Sequence, residues 1–235
     1  AERLAGAAEG VASVNLPHVP IYVEGVLEHM RSIDRSLGEL FAYIEANCSE
    51  DEYIVQVFSD HGVPIYDEEP DILSENQVGA ALLMRGAGIP ALGFVDELTS
   101  AVDIYPIMGH HAGFSVPFYV DGHLPKALGG EGRAYAVSAS VYPGQTYKLC
   151  LRTKTHEFRL ESKEAVDEDG TVDMTGASLG LYTRGAERKG VEDAALWDYF
   201  LGIVRDLTAS FNDEGHHWPD MRAARPLWFK NAGER

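Results

Sequence analysis

Chemistry is most concentrated at Asp60-His61-Gly62. An adjacent aspartate and histidine can offer one carboxylate oxygen and one imidazole nitrogen to a common point, and the glycine lets the backbone turn sharply beside a bound ion. The same three residues would also serve a solvated turn or a plain Asp–His hydrogen bond, because two ligands do not make a metal site. His18 comes second, held in Leu16-Pro17-His18-Val19-Pro20. Two prolines stiffen the backbone around it, which suits a side chain that must point at a substrate, although an ordinary loop histidine reads the same way. His110 and His111 fall on or just after a helical pattern, where adjacent residues face differently, so packing rather than joint metal ligation is expected. His216-His217-Trp218 sits in an acidic tail with no other ligand nearby in sequence, and reads as a structural loop.

These residues need elements to hold them. From Pro20 to Asn47, Val23, Val26, Leu27, Met30, Ile33, Leu37, Leu40, Phe41 and Ile44 recur at intervals of three and four. That periodicity predicts an amphipathic helix buried along one side, with Pro20 tolerated at its start. Tyr53 to Phe58 is a short run of β-formers that stops at the polar turn Ser59-Asp60-His61-Gly62. Helix, short loop, strand and polar turn predict an α/β domain with a mostly parallel sheet and flanking helices. In such sheets ligands bind beyond the carboxyl ends of strands, where Asp60 and His61 fall. Further strands are expected at 80–84 and 91–95, then a helix over 103–111 closed by Gly113.

After Asp121-Gly122 the pattern changes. Short strands are expected at 133–141, 146–153 and 156–161, separated by turns such as Pro143-Gly144, with a further turn marked by Asp167–Asp169 and Gly170. A helix follows at 192–207. The acidic stretch from Glu161 to Asp169 reads as a solvated hairpin. This organises the chain as an α/β part over 15–125, a small antiparallel sheet with a C-terminal helix over 130–210, and a tail over 211–235.

Composition excludes several classes. Of 235 residues, 45% are hydrophobic and 24% charged, enough apolar material for a core and against bulk disorder. No stretch approaches the ~18 uncharged apolar residues of a membrane span. The 19 Lys+Arg against 37 Asp+Glu give a formal charge of −18, which opposes an electrostatic grip on nucleic acid or anionic lipid. Two cysteines, Cys48 and Cys150, are too few for a disulfide scaffold and leave the compartment open. The opening AERLAGAAEG has neither an initiator Met nor a signal-peptide pattern, and suggests a processed product or a piece of something longer.

Taken in order, His18-Val19-Pro20, the helix containing Asp34, the strand YIVQVFSDHG, the segment AVDIYPIMGHHAG and the Asp121-Gly122 element resemble the C-terminal half of the sulfatases, in the alkaline-phosphatase-like superfamily. YKLCLRTKTHEFRL and SLGLYTRGAERKGVED are similar to that family's C-terminal subdomain, so the likeness covers most of residues 15–208. It implies a hydrolase of sulfate esters, with phosphate or phosphonate esters as the related alternative. The substrate would be a small-molecule or glycan sulfate ester. It also implies that Asp60 and His61 are two ligands of a divalent metal and that His18 is the active-site histidine. Calcium is the family's usual ion; a histidine ligand leaves zinc or manganese open.

The sequence departs from the family at three points. The nucleophile there lies in C/S-x-P-x-R and becomes formylglycine, but Cys48 is followed by Ser-Glu-Asp-Glu and Cys150 by Leu-Arg-Thr-Lys. The upstream paired aspartates of the metal site would precede residue 1. The sulfate-binding lysine has no counterpart either: no Lys or Arg lies between Gly62 and Met84, and the acidic run Asp67-Glu68-Glu69-Pro70-Asp71 stands there instead. The expectation is therefore a portion that supplies metal ligands and a histidine, is inactive alone, and takes the N-terminal half of the same enzyme as partner. A non-catalytic binding or interaction module of the same descent is the alternative. Oligomeric state is not fixed by the sequence.

Overall fold

The computed structural model describes residues 20–63, 72–142, 144–168, 172–185 and 187–211. His18, the acidic run at 67–71, Pro143, the Asp169-Gly170 turn and His216-His217-Trp218 lie outside the described residues. The chain divides into two compact units, 1–140 with 152–154, and 141–151 with 155–235.

The first unit opens with α1, Pro20–Asn47, the span its periodicity predicts. Its stripe is only partly covered, however. Val26, Leu37, Phe41 and Ile44 are half-buried, whereas Leu27, Met30, Ile33, Leu40 and Tyr43 are exposed, Met30 to 61%. The burial that the pattern predicts is thus not reached by the described residues. What anchors the helix is polar: the Arg85 guanidinium pairs with Glu45 at 2.8 Å and lies over the Phe41 ring at 5.6 Å.

β1, Ile54–Phe58, is followed by a single helical turn, α2, Glu75–Val78, and by β2, Leu82–Gly86. The two strands pair antiparallel, from Ile54 opposite Gly86 to Phe58 opposite Leu82. The expected mostly parallel sheet is therefore not what the described strands form. The chain reverses after β1 rather than crossing over, and Ser59 fixes the reversal. Its N–H donates to the Ala81 carbonyl at 3.1 Å and its hydroxyl accepts from the Ala81 N–H at 2.8 Å. At the far end Gly86 adopts φ +122°, and a Cβ there would stand 2.0 Å from the Tyr53 carbonyl. Residues 91–95, expected as a strand, form none: Gly93 turns left-handed at φ +67° and leaves Phe94 fully in solvent.

A 3-10 turn, Ala101–Asp103, leads into α3, Ile104–Ala112. Pro106 is harmless in the first turn, where its missing N–H has no helical partner. Gly113 ends the helix in the left-handed region at φ +74°, its N–H donating to the Gly109 carbonyl, as the sequence predicts. Asp103 is buried and receives four donors. Ser100 N–H and His123 N–H bind it at 2.8 and 2.7 Å, Arg133 Nε at 2.8 Å, and Arg133 Nη2 closes the fork. This one carboxylate ties the chain on both sides of α3 together.

The later part of the chain carries a four-stranded sheet in the order β3, β4, β5, β6, formed by Ala136–Ser140, Thr146–Arg152, His156–Ala165 and Ser178–Thr183. The first three match the expected meander. β6 was not among the expected strands; it pairs antiparallel with β5 from His156–Thr183 to Glu161–Ser178. α4, Ala194–Phe211, begins where the Asp193 carboxylate accepts from the N–H groups of Ala195 and Leu196 at 2.9 and 3.1 Å. In the second unit's core Phe158 stacks on Phe200, ring centroids 5.7 Å apart, and meets Trp197 edge-on at 5.7 Å. Tyr147, Leu149, Leu151, Leu181 and Val204 are buried with them. Burial pushes the Tyr147 phenol up to about 12.

Candidate functional site

β1 delivers its carboxyl end to the Asp60-His61-Gly62 turn, and both side chains reach solvent: Asp60 is 88% exposed and His61 54%. The Asp60 carboxylate accepts from the His61 N–H at 3.0 Å through Oδ1, while Oδ2 lies 3.6 Å from His61 Nε2. The other ring nitrogen, Nδ1, is 2.7 Å from the Gly62 carbonyl oxygen. A carbonyl only accepts, so Nδ1 carries a proton, and in the neutral form of the ring Nε2 is then the lone pair, on the side of the Asp60 carboxylate. The pair can therefore act as one oxygen and one nitrogen donor toward a shared cation.

Gly62 serves a different purpose from the sharp turn that its type suggests, since its φ is not in the left-handed region. The need is proximity. A Cβ at position 62 would stand 2.0 Å from the Asn76 carbonyl oxygen and 2.6 Å from that of Gly79. The Gly62 N–H donates to the Gln77 carbonyl at 2.7 Å. Thus the 74–79 turn lies directly against the DHG turn. That turn is itself held at its start: Ser74 Oγ caps it by accepting from Gln77 N–H at 3.2 Å, and Arg152 Nη2 donates to the Leu73 carbonyl at 2.5 Å. Nothing in the string Ser-Glu-Asn-Gln-Val-Gly announces this role; the one available signal is the glycine that must make room for it.

Among the described residues, no group of three or more His, Cys, Asp or Glu gathers to hold a metal ion. Asp60 and His61 have the chemistry of two ligands, and the described chain does not complete the set. Cys150 is buried in β4 and Cys48 is exposed just beyond α1; neither lies in a formylglycine motif.

His110 and His111 line a shallow cleft of about 490 Å³ with Ile89, Pro90 and Leu128, their rings edge to face at 4.8 Å. Burial, then the neighbouring charge of His110, lowers the affinity of His111 for a proton below its ordinary value of 6.5. With the folded value depressed, the unfolded chain binds the proton more readily. Stability from this site is therefore full above pH 6.5 and falls as pH drops from there toward the lowered value. Denaturant titrations at pH 7.5 and pH 5.5 check this, because His111→Gln is expected to lose less stability between those two values than the wild type does.

Comparison with known proteins follows the same residues. Residues 22–114 match the sulfatase family, a segment running from early in α1 to just past the end of α3. A crystal structure from Bacteroides thetaiotaomicron VPI-5482, of a protein described as a candidate sulfatase, is similar in fold over 72% of this chain at 20% identity, with a TM-score of 0.50. The match covers 38% of that solved chain, so the present chain spans well under half of it. No curated protein matches the chain. Over residues 22–114, which include the DHG turn and the segment around Asp103, the chain is similar to the sulfatase family.

Proposed function

We propose that the chain is the C-terminal portion of a sulfatase-like, metal-dependent hydrolase of sulfate esters, in which Asp60 and His61 are two ligands of a divalent cation. The observation that supports it most is the His61 ring. Metal-ligating histidines characteristically donate their second ring N–H to a backbone carbonyl or carboxylate, which fixes the tautomer and frees the other nitrogen to ligate. Nδ1 at 2.7 Å from the Gly62 carbonyl, with Nε2 facing Asp60, is that arrangement. When bound, such an ion would stabilise negative charge on the transferring group. The chain's own contribution is to hold one carboxylate and one neutral imidazole at the carboxyl end of β1. His18 is proposed as the active-site histidine. The nucleophile, a formylglycine on this reading, and the remaining ligands belong to the N-terminal half, the expected partner. A phosphate or phosphonate ester is the related substrate class.

A non-catalytic, ion-binding module of the same descent is the second reading, favoured by one feature: acid stands at 67–71 where the family places a lysine. Carboxylates there would repel an anionic substrate unless a cation intervenes. On either reading, titration calorimetry of the 235-residue chain with Ca²⁺ and Mn²⁺ is expected to show weak binding that Asp60→Ala abolishes. Unchanged affinity in Asp60→Ala would sink the assignment. Turnover of an aryl sulfate by the purified chain alone would place the nucleophile within it and refute the division of the site.

A further inference from the structure

The His61 ring has a second neighbour besides the Gly62 carbonyl. As the side chain is placed, the amide nitrogen Nε2 of Gln77 lies 3.2 Å from the same Nδ1. Because the Nδ1 proton is already directed at a carbonyl, an amide N–H aimed at that nitrogen would set donor against donor. A carboxamide exchanges its oxygen and nitrogen by a half-turn about its terminal torsion, and only the oxygen-first orientation suits a protonated Nδ1. Gln77 is well placed to hold that position, since its own carbonyl binds the Gly62 N–H and its N–H is fixed by Ser74.

We infer that Gln77 is a positioning residue for His61: its carboxamide oxygen is the second acceptor for the Nδ1 proton and, with the Gly62 carbonyl, keeps Nε2 bare beside Asp60. This deepens the metal-ligand reading of the pair, but the tautomer it fixes exists without any metal. One residue therefore contacts the DHG turn twice, through its backbone at Gly62 and through its side chain at His61. The first contact sets where the turn lies; the second sets which nitrogen of the ring is available.

The test separates the two readings. Long-range ¹H–¹⁵N correlation spectra of the metal-free chain, with His61→Gln to assign the signals, report the tautomer directly. In wild type the Nδ1–H form of His61 is expected to dominate. Gln77→Leu, which keeps bulk and removes the acceptor, is expected to shift the tautomer ratio toward Nε2–H by about two- to tenfold, the range that one net hydrogen bond carries. It is also expected to weaken Mn²⁺ binding by about tenfold. Gln77→Glu supplies an acceptor-only side chain and should keep or strengthen the Nδ1–H form, so it decides the matter if Gln77→Leu loses its dispersed spectrum. A tautomer ratio unchanged in Gln77→Leu, or one that moves toward Nε2–H in Gln77→Glu, overturns the positioning role whatever the metal affinity. If the ratio moves as expected while no chain binds Mn²⁺, the positioning role stands and the metal reading falls.

Discussion

Asp103→Ala is expected to cost about 3–5 kcal/mol of stability, the penalty of leaving a buried charge without its partner. Asp103 and Arg133 are both almost wholly enclosed, and the carboxylate also receives the N–H groups of Ser100 and His123. Removing it strands the guanidinium and two backbone donors at once. Asp103→Asn keeps an acceptor but not the charge and should lie between wild type and alanine. Chemical denaturation followed by circular dichroism measures the loss. A decisive control is the double variant Asp103→Leu with Arg133→Met, which removes both charges and should recover most of the stability. If Asp103→Ala costs under about 1 kcal/mol, the range of a surface pair, the buried fork is not formed in solution. For the proposed site the consequence is indirect, since Asp103 organises the chain around α3 and makes no contact with the DHG turn.

The second large effect is expected at Phe158. Truncation to alanine should cost about 3–5 kcal/mol, because the ring is fully buried and its removal opens a cavity between Phe200 and Trp197. Phe158→Leu refills much of that volume and should cost less than half as much. The Trp197 indole, whose N–H donates to the Val191 carbonyl at 2.8 Å, gives a local reporter. Its fluorescence should change in the folded Phe158→Ala chain before any denaturant is added. Equal stabilities for the alanine and leucine variants would mean that the second unit's core is not packed as described.

How far the sequence revealed this fold depends on the physics of each element. The span of α1 was legible because a three-and-four periodicity over 28 residues has one interpretation. The cap at Gly113 was legible, since few residue types suit it, whereas the Asp193 cap was not, and the last helix starts at Ala194 rather than at 192. Strand direction was not: the run Tyr53–Phe58 looks alike whichever way its neighbour runs, and the Ser59–Ala81 clasp joins residues 22 apart. The extent to which the α1 stripe is covered is a tertiary property that a pattern cannot report. Residues 91–95 misled because apolar content outvoted one left-handed glycine. At the site, Asp60 and His61 were visible as types in sequence. The orientation of the His61 ring was not, because it is set by one carbonyl next door and one amide sixteen positions on.

Gly62 has a consequence for how this sequence can change over time. Every single-base substitution of a glycine codon that alters the residue and does not stop the chain introduces a side chain with a Cβ. At position 62 that atom would meet the Asn76 carbonyl at 2.0 Å, and backbone there cannot yield without moving the whole 74–79 turn. The position therefore has no silent neighbours in coding space at the protein level. Drift can explore the chemistry just before it, exchanging the carboxylate or the imidazole for other side chains, while the glycine that follows them stays locked.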